Sequence, residues 1–261
     1  MKTLKFYIYK TFRIKKVPLL ALAFLSICPF SAHAEEIPFY ATYPNIDLSR
    51  WYISSGWANG EHQSCEWRAG NVSAKEKALR LTLSDKGALK RKWSCGEIQT
   101  KALYSYGRYE ARMKTAAGSG LNTAFFTYIG PPQGVPEHDE IDFEFLGKDS
   151  KTVQLNYYRK GQGGHEHIVD LGFDASEDFH DYAFDWLPEK IIWYIDGKQV
   201  HETQTGATDI PVNPSKIYLS LWSNAPSINK WMGPFTYNGP YTADYEWVKF
   251  TPAEDLKAKE D

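Results

Sequence analysis

Between residues 138 and 146 the chain reads His-Asp-Glu-Ile-Asp-Phe-Glu-Phe-Leu. Glu140, Asp142 and Glu144 alternate there with Ile141, Phe143 and Phe145. On a β-strand, residues i, i+2 and i+4 share a face. The spacing therefore predicts three carboxylates on one face and three large apolar side chains on the other. Like charges so close raise one another's pKa and oppose folding. A structural strand gains nothing from such a face, but an enzyme that donates a proton and attacks a carbon at one place does. Glycoside hydrolysis commonly uses two carboxyl groups flanking the scissile bond. Glu140 and Glu144 would stand about 13 Å apart at Cα, a gap that long side chains leaning inward can largely close. The shorter Asp142 lies between them and leaves room for a sugar. Its charge makes it hard for all three to ionise, so one Glu can stay protonated while the other attacks. The spacing does not say which Glu does which. A solvated acidic face is the bland alternative. A calcium site is another, although calcium loops favour Gly and Asn between their acids, and here the spacers are Ile and Phe.

The elements that must hold this strand also read as β. Period-2 alternation and turn signals predict a strand pair within 65–83 about a polar turn at 74–77. Further strands are predicted at 97–101, 107–114, 123–129, 153–158, 179–186, 190–195, 199–203, 217–222 and 245–250. Residues 84–94 read as a polar, basic loop, and the charged tail from 253 as frayed. Asp196-Gly197 is the strongest hairpin signal. No stretch sustains helical periodicity, and turn signals recur at the spacing of a sandwich or barrel. The expected fold class is all-β, with one domain over 35–261.

The first 34 residues carry six Lys or Arg and no acid, then an apolar run, then Ala32-His33-Ala34. That is the pattern of a secretory signal peptide, 1–34; the apolar run is shorter than the roughly 20 residues of a membrane span. Removing six positive charges takes the net charge from -2 to -8. An acidic mature chain without a basic block argues against nucleic acid, and nothing after the leader could span a membrane. Cys65 and Cys95 remain as an even pair in an exported chain, so a disulfide is expected. Aromatics make up 15% of the chain, with 9 Trp and 17 Tyr, more than a core alone requires. Tyr and Trp suit a wet binding surface. Trp222 and Trp231, among Ser220, Ser223, Asn224 and Asn229, read as a cleft rim; Trp186 and Trp193 read as packing residues. His165 and His167 lack further metal ligands, and Gly161 to Gly164 lacks what a phosphate loop needs.

Glu140-Ile141-Asp142-Phe143-Glu144 resembles the active-site strand of glycoside hydrolase family sixteen. Stretches 138–149, 153–158, 164–166, 171–175, 182–186 and 216–222 resemble bacterial lichenases, the β-1,3-1,4-glucanases. Stretches 95–100, 118–130 and 231–233 resemble still more the rhizobial exopolysaccharide glycanases that trim succinoglycan. The resemblance implies a β-jelly roll, a sandwich of two antiparallel sheets with substrate in a concave cleft, and a retaining mechanism. It implies Glu140 as nucleophile, Glu144 as acid/base and Asp142 as assisting carboxylate. Asn59, Glu97, Phe126, Tyr128, Asn156, Tyr158, Trp222 and Trp231 match positions lining the lichenase cleft, and Cys65 and Cys95 match the lichenase disulfide. His138 and Gln99 stand where lichenases have Trp and Arg at sugar-contacting positions, and both fit the exopolysaccharide glycanases instead; beside the strand, His138 could tune a carboxylate, contact sugar or be a polar loop-end residue. Ser220 replaces a lichenase Asn. Lichenases carry a structural calcium on the convex side, where Glu246 stands in place of their Asp; catalysis implies no cofactor.

The expectation is a secreted, monomeric endo-glycanase acting on a polysaccharide, either a β-1,3-1,4-linked glucan or a succinoglycan-type exopolysaccharide. A plant mixed-linkage lichenase, a carbohydrate-binding module with a dead site and a transglycosylating relative are the alternatives.

Overall fold

The structure is a computed structural model that describes residues 37–130, 134–204 and 208–257; the expected leader lies outside them. In chain order the strands are β1 (Phe39–Thr42), β2 (Trp51–Ile53), β3 (Cys65–Trp67), β4 (Val72–Lys75), β5 (Ala78–Leu83), β6 (Trp93–Thr100), β7 (Gly107–Lys114), β8 (Leu121–Tyr128), β9 (Glu140–Leu146), β10 (Thr152–Tyr158), β11 (His167–Asp170), β12 (His180–Trp186), β13 (Ile191–Ile195), β14 (Lys198–Glu202), β15 (Lys216–Ser223) and β16 (Tyr241–Pro252). Two short helices, α1 (Asn229–Met232) and α2 (Ala253–Lys257), flank β16.

The strands build two eight-stranded sheets. The front sheet runs β11-β10-β9-β8-β15-β6-β2, with β3 added along β6; the back sheet runs β14-β13-β12-β7-β16-β5-β4, with β1 along β16. Neighbours are antiparallel except β3 on β6. The alternation read from the sequence sorts the faces. On β9, Ile141, Phe143 and Phe145 are buried in the core, where Phe143 stacks on Phe125 of β8 and meets Tyr182 of β12 edge-on. Each such side chain stabilises by roughly 1.5–3 kcal/mol on full burial. That apolar half fixes the register, because a one-residue slip would turn the carboxylates into the core. Trp186 and Trp193 are core residues.

The Asp196-Gly197 turn joins β13 to β14 with φ of 48° and 75°, the left-handed pair that matches hairpin twist. The turn between β4 and β5 uses Glu76 and Lys77 at φ 55° and 69°. The 84–94 stretch is not loop throughout. β6 begins at Trp93, and Ser94 is drawn in by exchanging backbone hydrogen bonds with Ser84. The tail at 253 continues as α2, and β11 forms at the front sheet's edge without a clear signal in its sequence. Cys65 and Cys95 are bonded with Cα atoms 5.8 Å apart, tying β3 to β6. No helix among the described residues is long and apolar enough to cross a membrane.

Candidate active site

The outward face of the front sheet forms the floor of a cleft of about 1580 Å³. Antiparallel registry sets its side chains in rows. Tyr158 of β10, Glu140 of β9, Tyr128 of β8 and Lys216 of β15 make one row. Asn156, Asp142, Phe126, Tyr218, Gln99 and Tyr52 make the next, across six strands. Gln154, Glu144, Ala124, Ser220 and Glu97 make the third. All thirteen cleft positions expected from sequence line this space, namely Glu140, Asp142, Glu144, Asn59, Glu97, Gln99, Phe126, Tyr128, His138, Asn156, Tyr158, Trp222 and Trp231.

The three carboxyl groups have different surroundings. Glu144 accepts from Asn122 Nδ2 at 2.9 Å and from Gln154 Nε2 at 2.8 Å. Gln154 is itself oriented by Trp231, whose indole N–H donates to Gln154 Oε1 at 3.0 Å. Burial and the charge of Glu140 nevertheless raise the Glu144 pKa to about 7. Asp142 is buried between the two Glu residues, and burial first, then the charges of Glu140 and Glu144, push its pKa well above the usual carboxylate range. Burial thus favours the protonated form of Asp142, which is hydrogen-bonded with Glu140. The sequence reading placed Asp142 as a negative group between two Glu residues; its burial favours the neutral form. Glu140 Oε2 lies 2.6 Å from His138 Nε2.

The strand enters the cleft from a fixed point. Asp139 is fully buried and accepts from Arg159 Nη1 and from the backbone N–H groups of Lys160, Val212 and Asn213. These donors come from two separate segments, so Asp139 pins the start of β9 against both.

Away from β9 the cleft is aromatic and polar. Phe126 stacks on Tyr218 at 5.0 Å, Trp222 lies 6.3 Å from Trp231, and His62 meets Trp222 edge-on. Glu97 is buried, accepts from Ser54 Oγ at 2.6 Å, and has its pKa raised to about 8 by burial. A neutral carboxyl group there can both donate to and accept from a sugar hydroxyl. Gln99 Oε1 receives Lys216 Nζ and the Tyr218 hydroxyl. Sequence reasoning missed Asn122, Gln154, Lys216 and Tyr218. The usable signal was parity, since each lies an even number of residues from a cleft residue on its own strand.

The family model for glycosyl hydrolases family 16 matches residues 59–249. The chain belongs to glycosyl hydrolases family 16. Within that family it is 45% identical over 217 residues to the endo-1,3-1,4-beta-glycanase ExoK of Rhizobium meliloti, covering 83% of this chain and 80% of that protein. It is 42% identical over 249 residues to the beta-glucanase of Bacillus licheniformis, covering 92% and 99% of the two chains. Among solved structures, a beta-1,3-1,4-glucanase (lichenase) derived from a mouse hindgut metagenome superposes with a TM-score of 0.77 at 42% identity, covering 82% of this chain and 99% of that one. The fold is therefore the family-16 jelly roll.

Glu246, which stands where lichenases have a calcium-binding Asp, is engaged with a guanidinium. Glu246 Oε2 accepts from Arg112 Nε at 2.7 Å, and Arg112 Nη1 donates to Asp181 at 2.8 Å. A guanidinium takes the place between these carboxylates. Among the described residues, no three His, Cys, Asp or Glu side chains gather to hold a metal ion. His165 and His167 also part company. His165 stacks on Tyr157 and pairs with Asp209, whereas His167 stacks on His201.

Proposed function

We propose that this family-16 chain is a secreted, endo-acting retaining glycoside hydrolase. Its substrate is a β-1,3-1,4-linked glucan or a succinoglycan-type exopolysaccharide. The observation that carries the reading is the unequal carboxyl row on the cleft floor: Glu144 with its pKa raised to about 7, Asp142 pushed up by burial, and Glu140 between two hydrogen-bond partners. In the first step a Glu140 oxygen attacks the anomeric carbon. The glycosidic C–O bond breaks, and the Glu144 proton passes to the leaving oxygen. In the second step Glu144 takes a proton from water, the water oxygen bonds to the anomeric carbon, and the Glu140 ester bond breaks. A group with a pKa close to neutrality suits both halves of Glu144's task.

Endo action is supported by the length of the floor. Six strands separated by about 4.8 Å span about 24 Å, several sugar rings of chain on both sides of β9. Export is supported by the leader read in the sequence and by the Cys65–Cys95 disulfide, which persists in an oxidising compartment. Of the relatives named above, the Rhizobium meliloti glycanase and the mouse-hindgut lichenase act, by their names, on 1,3-1,4-β linkages, and the Bacillus licheniformis protein is a beta-glucanase.

The test is side-by-side digestion of lichenan, laminarin, cellulose and a succinoglycan-type polymer, followed by reducing-end release and product sizing. Oligosaccharides are expected from lichenan or the exopolysaccharide and none from cellulose. Binding without release from any of them would make the chain a carbohydrate-binding protein instead.

A further inference from the structure

The ring of His138 is 3% exposed, and both of its nitrogens are engaged. Nδ1 lies 3.0 Å from the backbone nitrogen of Gly134, whose N–H donates to it. A ring nitrogen that accepts a hydrogen bond carries no proton, so the proton of the neutral imidazole sits on Nε2. That N–H points at Glu140 Oε2, 2.6 Å away. The ring cannot turn freely. It stacks on Tyr158 at 4.9 Å and 17°, meets Tyr128 edge-on at 5.1 Å, and its own backbone N–H donates to the carbonyl of Val135. The next residue is the anchored Asp139.

We propose that His138 is a positioning residue for the reaction, a neutral imidazole whose Nε2–H holds Oε2 of Glu140 and leaves Oε1 to attack the sugar. The proposal rests on the reading of Glu140 as nucleophile. With Nδ1 and Nε2 both used, His138 has no polar atom left for substrate and acts through Glu140. Of the roles its sequence position offers, this is the tuning of a carboxylate rather than the sugar contact. The hydrogen bond is strongest to a carboxylate and weaker to the ester oxygen of the glycosyl-enzyme. Charge leaves Glu140 when the ester forms and returns when the ester is hydrolysed. The donor thus favours the second step as well as fixing the geometry of the first.

The test compares His138→Phe, which keeps a flat ring against Tyr158 but has no donor, with His138→Gln, whose amide N–H can take the Nε2 position. Loss of a hydrogen bond to a charged group predicts that kcat of His138→Phe falls roughly tenfold to a hundredfold. KM should stay level or fall, and intact-mass spectrometry should find more glycosyl-enzyme during turnover. His138→Gln should recover most of the loss. A raised KM with unchanged kcat in His138→Phe would make His138 a substrate contact and overturn the proposal, as would a His138→Gln as slow as His138→Phe. Histidine ¹⁵N NMR of the wild-type protein at neutral pH needs no variant. It should find this ring protonated at Nε2 alone, and protonation at Nδ1 alone would equally overturn the proposal. Failure of the underlying reading looks different. Wild-type protein inactive on every polymer, or an active Glu140→Gln, removes that reading and this proposal with it.

Discussion

The two outer faces of the sandwich treat the same kind of residue in opposite ways. On the back sheet, β7 alternates Arg108, Glu110, Arg112 and Lys114 outward, and its neighbours supply the opposite signs. Asp185 takes Arg108 at 2.6 and 2.7 Å, and Asp244 takes Arg80 at 2.7 and 2.8 Å. Glu110 takes Lys249, and Asp181 and Glu246 share Arg112. The hydrogen bonds to these acids raise the pKa of Arg80, Arg108 and Arg112. On the front sheet, β9 turns Glu140, Asp142 and Glu144 outward with no Lys or Arg ion pair among the described residues. Their partners are the side chains of Asn122, Gln154 and His138. Interleaved cations make a charged face a fastening. Without them, burial and mutual repulsion hold protons on carboxyl groups, which is the condition that acid–base chemistry needs.

The contrast breaks most visibly at the front-sheet glutamates. Glu140→Gln is expected to lower turnover on the order of 10⁴-fold or more, and Glu144→Gln by about 10²- to 10⁴-fold. Neither should lower the melting temperature, because each removes one charge from a repelling set. Unchanged hydrolysis by Glu140→Gln would end the nucleophile assignment.

The pH dependence follows from Glu144. The acid must be protonated for the first step, so kcat/KM is expected to fall as pH rises through about 7, by roughly tenfold per unit beyond it. Stability moves in the same sense. A carboxyl group whose pKa rises from 4.5 to about 7 on folding contributes stability that is fully present below 4.5 and lost as pH rises through about 7. Melting curves of wild type against Glu144→Gln should diverge between those two values, with the variant the more stable at pH 8. Parallel curves would mean that the proton resides elsewhere in the row.

Asp142 sharpens the same point with a smaller effect. If it is neutral, Asp142→Asn keeps its shape and a donor toward Glu140, and kcat should stay within about tenfold of wild type. Asp142→Ala, which removes the donor, should lose more. Equal losses in the two variants would return Asp142 to the role of a fixed negative charge, as its position in the sequence alone implies.

Much of this was legible in the chain because alternation is local. The acidic face, the Phe143 side of β9 and the Asp196-Gly197 turn follow from period two or from turn chemistry, and the other cleft positions were implied by the family resemblance. What escaped depends on partners distant in sequence. Ser94 looks like loop until Ser84 pairs with it. Gln154 becomes relevant only when Trp231 and Glu144 close around it. The raised pKa values of Asp142 and Glu97 come first from burial, which no spacing encodes. The sequence leaves His138 between sugar contact and carboxylate tuning, and the Gly134 N–H on its Nδ1 is visible only in the fold.

The smallest expected effect lies on the back sheet and tests whether the two faces are independent. Arg112 is 35% exposed and bridges Asp181 and Glu246, themselves about half exposed. Exposed pairs of this kind contribute about 0–1 kcal/mol. Arg112→Met should therefore cost no more than about 1 kcal/mol, as read from a denaturant midpoint at constant slope. The difference should shrink in higher salt, which screens the two carboxylates left facing one another. Turnover should not change, because the core between the sheets separates this bridge from β9 and carries no charge across. A drop in kcat in a folded Arg112→Met would mean that the back sheet's ion pairs set the twist on which the carboxyl row depends, and the two faces would then have to be treated as one device.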